Sequence, residues 1–382
     1  MSTLGKAEEN HDLFINGPVN VIRLQNNNKT LDVYMDFHKN IQDKCEEGID
    51  IDKYLTKSFK NIKGKKIYDF FLEINLSDAI SQIADTRKKY IHDVMRMFTN
   101  IFIYDSVSNK IVLSKEFPNL RVHYIDIRNY IPQKQYIPKL YNSFNKLTPN
   151  DVTKSFLEKF MQDMSSLKKI DSIMYDMIYR NVTDFDMIYQ NVTDFDMNLV
   201  KIINKIRTKY TNQTIGSKIN TIIDSDLKSY FEKYFTSLDT LIEYLESTIH
   251  NYDNDNNSFF EKKISKYLLI LYSICEKYEY VLEYRVKILM FLMDIFFLRR
   301  FLDKDYTTSS IVYTGFAHSN NYIYYLVKYF GFKITHAYYI KGIISEVNKM
   351  IEELDDPDKL KKYISPPKKY QCINLKDFPK II

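Results

Sequence analysis

The chain has 382 residues, 45% apolar and 15% aromatic, which suffices for one large or two ordinary domains and argues against global disorder. Its formal charge of +5, from 54 basic and 49 acidic residues, is spread without a basic block, so specific nucleic-acid binding is not expected. Cys45, Cys275 and Cys372 are far apart with no CxxC pair, which speaks against a zinc ribbon or disulfide scaffold and for a reducing compartment.

The first residues, MSTLGKAEENHDLF, contain no hydrophobic signal core. Residues 19–24 (VNVIRL) and 31–37 (LDVYMDF) read as strands joined by a turn-rich hairpin loop, and His38 follows the second. A helical pattern occupies residues 51–62. Gly64 breaks it, and residues 66–73 (KIYDFFLE) form a third strand ending on Glu73. Ser77 is expected to cap a helix over residues 78–98, and residues 121–127 (RVHYIDI) form a fourth strand. Pro132, Pro138 and Pro149 then mark a boundary.

The pattern is helical from about residue 152 to residue 302. Within it DMIYRNVTDF is followed at once by DMIYQNVTDF, residues 176–195. A ten-residue period turns a helix by about −80° per copy. The copies would not share a face, which fits a local duplication rather than a solenoid. Residues 251–257 (NYDNDNN) read as a loop. The most apolar run, residues 288–298 (ILMFLMDIFFL), contains Asp294 and is too short to span a membrane, so it reads as a core helix.

Residues 311–314 (IVYT) read as a buried strand running into Gly315, with His318 in the turn that follows. Ser319, Asn320 and Asn321 are N-cap candidates for a helix from Tyr322, which Gly331 stops before a last strand. The expected fold is α/β, a central and largely parallel or mixed sheet flanked by helices, with a helical insertion before the last strands. The divisions are 1–149, 150–286 and 287–350, then a C-terminal tail over 351–382.

Four strand ends carry titratable groups: Asp36 with His38, Glu73, Asp126 with Arg128, and His318. Spacing by two puts Asp36 with His38, and Asp126 with Arg128, on one face of an extended strand. At one rim of a sheet, two imidazoles and several carboxylates suit a divalent ion such as Mn, Fe or Zn, with Asp36, His38, Glu73 and His318 as ligands. Without metal the same set suits acid–base work, with His38 or His318 as base and Glu73 orienting it. The plain alternatives are hydrogen-bonded structural histidines, a capping Glu73 and an ordinary Asp126–Arg128 ion pair. His123, of opposite parity to Asp126, reads as packed.

The segments around Asp36-Phe37-His38, the Glu73 that ends FFLE and Gly315-Phe316-Ala317-His318 resemble the TIKI/TraB, ChaN-like and erythromycin-esterase-like superfamily. Phe330-Gly331-Phe332 matches the turn that closes its late motif, whereas Met35 stands where the early motif has glycine. The chain, including RVHYIDIR, is also similar to uncharacterised proteins of giant DNA viruses of the mimivirus kind.

The resemblance implies a hydrolase of an amide or ester bond acting on a small-molecule or peptide substrate. His38, Glu73 and His318 would be catalytic, and Asp36 an added ligand or orienter. Asp126 and Arg128 rest on parity and the viral similarity. The resemblance also implies a place in the host cytoplasm or the virion. The rival reading is a non-catalytic structural or host-interaction protein on a degenerate fold of this kind. A third is a haem binder using Tyr313 or Tyr34 beside a histidine.

Overall fold

The structure is a computed structural model. It describes residues 13–39, 44–62, 64–74, 89–102, 104–105, 110–111, 114, 116–130, 148, 151–179, 197–252, 260–368 and 370–380. The chain falls into two compact units, residues 1–126 with 304–382, and residues 127–303.

The first unit is built on a six-stranded mixed sheet, with its strands β2 (Asn20–Gln25), β3 (Thr30–Asp36), β5 (Tyr68–Leu72), β8 (Leu120–Tyr124), β9 (Ser309–Gly315) and β10 (Lys333–Ala337) in the order β10-β2-β3-β9-β5-β8. β3, β9, β5 and β8 are mutually parallel, while β2 runs antiparallel to both β3 and β10. The expected β2–β3 hairpin is present. Its loop is held by the Asn26 side chain, which accepts from the backbone N–H groups of Asn28 and Lys29.

β9, from the far end of the chain, lies between β3 and β5, and all seven of its residues are buried. That explains its continuous apolar reading, since a central parallel strand is covered on both faces. One face packs against α1 (Ile51–Lys60) and α2 (Tyr90–Ile101), where Phe59, Phe70, Phe98 and Tyr313 belong to one core cluster.

A second, three-stranded sheet places β1 (Phe14–Asn16) between β4 (Ile49–Asp50) and β11 (Cys372–Asn374). The tail beyond residue 350 carries helical turns at Pro357–Leu360 and Lys361–Ile364 and a paired strand at Cys372–Asn374. A short antiparallel pair joins β6 (Tyr104–Asp105) to β7 (Lys110–Ile111).

Two sequence expectations are corrected here. Cys45 and Cys372 form a disulfide across 327 residues, their Cα atoms 5.8 Å apart, so sequence distance was a poor guide to pairing. β1, lying between the strands next to each cysteine, brings them together. His318 does not lie in a turn. α8 spans Phe316–Phe330 with Gly315 at its N-cap, which places His318, Ser319 and Asn320 in the helix. It ends, as expected, at Gly331 in a left-handed conformation, φ 70°.

The strand over residues 66–73 is shorter than read, and the one over 121–127 stops at Tyr124. Residues 75–88, with the expected helix start at Ser77, lie outside the described residues, as do Pro132, Pro138, Pro149 and most of the repeat and of the 251–257 loop.

The second unit is helical: α3 (Lys154–Tyr179), α4 (Met197–Thr208), α5 (Gln213–Ile222), α6 (Lys228–Tyr252) and α7 (Phe260–Leu302). α6 packs against both α3 and α7. Asp171 on α3 and Arg285 on α7 form a bidentate pair at 2.7 and 3.1 Å, both about 98% buried or more, and Tyr234 on α6 donates to Asp171 at 2.6 Å. Among the described residues no helix is long and apolar enough to cross a membrane.

A buried ion pair matters most when half of it is removed, because the remaining charge stays uncompensated. Arg285→Met is therefore expected to destabilise the helical unit by about 3–5 kcal/mol in chemical denaturation. The double variant Asp171→Leu/Arg285→Met should recover most of that loss. Equal losses in both variants would mean the pair's own attraction, not the stranded charge, dominates.

Candidate functional site

The register of the three central parallel strands brings the sequence-predicted groups to one rim. Asp36, the last residue of β3, stands opposite Gly315, and Leu72 of β5 stands opposite Tyr313. Glu73 therefore emerges beside Thr314 and Gly315, and His38 follows two residues after Asp36. In open α/β sheets the carboxyl ends of strands are where ligands gather.

Glu73 is 5% exposed and is the hub. Its Oε2 accepts from the Thr314 hydroxyl at 2.7 Å and the Gly315 backbone N–H at 2.6 Å, and takes the His38 Nε2–H at 3.0 Å. Its Oε1 faces His318 Nε2 at 3.4 Å, and His318 is only 3% exposed. The carboxylate thus meets the first N–H at the start of α8, where the helix dipole favours negative charge. A side chain at position 315 would not fit: a Cβ there would lie 2.7 Å from His38 Nε2 and 3.2 Å from Glu73 Oε2.

Asp36, fully buried, supports His38 from the other side. Its Oδ1 accepts the His38 backbone N–H at 3.1 Å, and its Oδ2 lies 3.5 Å from His38 Nδ1. The Tyr313 hydroxyl donates to the same Oδ2 at 3.4 Å. Burial, and then the neighbouring Asp36, push the Tyr313 phenol well above its ordinary range, so it stays a donor.

Among the described residues His38 is the one non-glycine with positive φ, at 50°. Such backbone is tolerated when surrounding contacts hold it, and it clusters at functional sites. Burial alone would lower the His38 pKa. The hydrogen bonds and charges of Asp36 and Glu73 outweigh it and raise the pKa from 6.5 to about 10. His38 is therefore an imidazolium at neutral pH, and with a side chain 30% exposed it is the most open member of the group. The rings of Phe37 and Phe316, each next in sequence to a site residue, pack together with centroids 5.4 Å apart.

Asp126 lies at the same rim, its backbone N–H donating to Ile74 O at 3.4 Å, next to Glu73. Arg128 opens a short 3-10 turn, Arg128–Tyr130, in the other unit. Because β8 ends at Tyr124, strand parity does not relate Asp126 to Arg128.

His123 is packed as expected, stacked on Phe71 at 4.6 Å between centroids. It donates to the buried Asp69 at 2.7 Å, which also takes a bidentate Arg121. Asp69 lies near the start of β5, toward the other end of the strands, where it ties β5 to β8.

The sequence reading missed Thr314 and the role of the Tyr313 hydroxyl. Thr314 adjoins the glycine already singled out, and the β5–β9 register would have exposed it.

The donor set as it stands does not fit a divalent ion. Among the described residues no group of three or more His, Cys, Asp or Glu side chains is arranged to hold one. Both imidazole Nε2 atoms face Glu73, whose oxygens are taken up by internal donors. Nor does the site fit haem through tyrosine, since Tyr34 and Tyr313 are fully buried in the core cluster.

Comparison with known proteins gives kinship. The chain is 30% identical to uncharacterized protein R706 of Acanthamoeba polyphaga mimivirus over 429 aligned positions, covering 100% of this chain and 99% of that one. Uncharacterized protein R161 of the same virus is 29% identical, covering 96% of this chain and 97% of its own length. Its protein R160 is 30% identical, with 89% and 91% covered. No solved structure matches. A family of unknown function (DUF5847) matches residues 13–382, across both units, and the chain belongs to that family.

Proposed function

We propose that the rim site hydrolyses an amide or ester bond in a small-molecule or peptide substrate, using its own side chains as acid and base. The observation that carries this reading is the convergence of His38, Glu73 and His318 from three distant stretches of chain on one rim, with His38 in a left-handed backbone. That arrangement supports acid–base work because it fixes one cationic imidazole and one carboxylate-oriented imidazole side by side. In this reading His318, its ring held by Glu73, takes a proton from water as the water oxygen adds to the substrate carbonyl carbon. The His38 imidazolium faces the oxygen on which negative charge develops. It then passes a proton to the departing alkoxide or amine as the carbon–oxygen or carbon–nitrogen bond breaks.

One observation favours the second reading, a non-catalytic viral structural or host-interaction protein. Both oxygens of Glu73 and both of Asp36 already face internal partners, as in a clasp that only holds strand ends together.

The deciding experiment is a panel of chromogenic esters and peptide amides given to wild type, His38→Ala, Glu73→Gln and His318→Ala. We expect hydrolysis by wild type and a loss of about 10²–10⁴-fold in kcat/KM for each variant. No turnover by folded wild type, or equal turnover by all four, favours the clasp.

Elemental analysis of wild type beside His38→Ala/His318→Ala is expected to find no stoichiometric Mn, Fe or Zn. Metal present in wild type and lost in the double variant would overturn the metal-free reading.

His38 also carries a pH signature. Its pKa is raised in the folded protein, so its contribution to stability is full below about 6.5 and is lost as pH rises through about 10. Imidazole NMR shifts should show a cationic ring from pH 7 to 9. A ring already neutral at pH 8 would refute the assignment.

A further inference from the structure

The small sheet of the first unit touches the rim site through one buried side chain. Gln371, immediately before β11, is 4% exposed. Its side-chain amide donates to the carbonyl of Lys39, the residue after His38, at 3.4 Å. Its own carbonyl accepts the Gly17 N–H at 2.9 Å. Gly17 in turn passes close to the site: a Cβ built there would lie 3.2 Å from the Tyr313 hydroxyl, which holds Asp36. Gln371 therefore contacts Lys39, next to His38, through its side chain and Gly17 through its backbone carbonyl.

The next residue, Cys372, is bonded to Cys45, on the same outgoing segment as His38. The Cys45 end is fastened a second time by Asn16. That side chain accepts from Cys45 N at 2.9 Å and donates to the carbonyls of Cys45 at 3.1 Å and Gly48 at 2.9 Å. Cys372 is 6% exposed and Cys45 half-buried, so a thiol can approach from the Cys45 side.

We propose that Gln371 is a positioning residue of the His38 site, and that the Cys45–Cys372 disulfide, by fixing the strand that carries it, makes assembly of that site redox-dependent. The geometry stands without any assigned chemistry, although its catalytic consequence rests on the hydrolase reading above. Strained backbone at His38 persists only while neighbouring contacts impose it. Gln371 and the Asp36 carboxylate are the contacts on either side. Reduction proceeds by thiol–disulfide exchange. A dithiol gives up two electrons and two protons, closing its own disulfide, and Cys45 and Cys372 each become a thiol. The covalent tie is then gone, and the strand is held by the three-residue β1–β11 pairing, the Leu375 N–H to Leu13 carbonyl bond, the buried Ile373 and Leu375, and the Gln371 contacts.

The test follows the His38 ring by ¹⁵N NMR at fixed pH 7 in oxidised protein, in protein treated with dithiothreitol, and in Gln371→Ala and the isosteric Gln371→Glu, which lacks the donor. Thiol titration confirms the redox state, and hydrogen exchange across the six-stranded sheet reports that the fold is intact. We expect the hydrogen-bonded imidazole N–H signals of His38 in the oxidised wild type. They should broaden or shift on reduction and in both Gln371 variants, and return on reoxidation of wild type. The proposal is overturned if the signals are unchanged with both thiols free, or if Gln371→Glu matches wild type. If the Gln371 variants fail to fold, the reduction and reoxidation of wild type decides alone. Failure of the hydrolase reading would instead show as absent turnover with these NMR changes intact.

Discussion

A carboxylate taken almost wholly out of water must find several donors, because burying an unpaired charge is costly. Glu73 draws its donors from two separate stretches of chain: the β9–α8 junction through Thr314, Gly315 and His318, and the segment just after β3 through His38. That requirement constrains much else. Gly315 must lack a side chain so that His38 and Glu73 can meet over it. β9 must lie between β3 and β5, which only a return from the far end of the chain supplies. The helix following β9 must start at once, so that its N-terminal amide meets the carboxylate.

The same hub sets the charge state of its neighbours. His38 lies between two carboxylates, and its half-open position does not release enough solvation to compete with them, so the ring stays cationic. Asp36 shares His38 with Glu73, its Oδ2 lying 3.5 Å from His38 Nδ1, and it is supplied also by Tyr313 and by the backbone N–H of His38, whose φ lies in the left-handed region. The charge of the His38 ring and one of the contacts that hold its backbone thus come from the same pair of carboxylates.

How much of this was legible in the sequence follows from the range of the forces involved. Strand alternation and the β2–β3 hairpin are local, and they were readable. The central position of β9 was visible only as an unbroken apolar run. Glu73 after β5 and the GxxH at the end of β9 were also readable, because each is a short motif, whereas strand parity does not relate Asp36 to His38, since β3 ends at Asp36 and His38 has φ 50°. His318 was misplaced within its element. Asn320 and Asn321 are good caps in isolation, yet Gly315 starts the helix because its amide pairs with Glu73, a contact that no window around residue 320 contains. Asp126 with Arg128 failed as a parity pair for a similar reason: the strand ended before the residues that parity was meant to relate.

The disulfide was illegible for a different physical reason. Cysteine spacing is informative when short loops are closed, and Cys45 and Cys372 are 327 residues apart. What joins them is β1, three residues long, which pairs parallel with β4 and antiparallel with β11. A strand so short has little pairing energy of its own, and isolated short pairings are marginal in water. The small sheet is therefore held by burial of Ile15 and Ile373 in the core and by additional ties: the Asn16 side chain on the Cys45 segment, Gln371 on Lys39, and the covalent bond. Each of those ties ends on a segment that enters or leaves the His38 rim. A part of the fold with little strand pairing of its own thus borders the strained histidine, and the side-chain contacts that help to order it reach the residues beside that histidine.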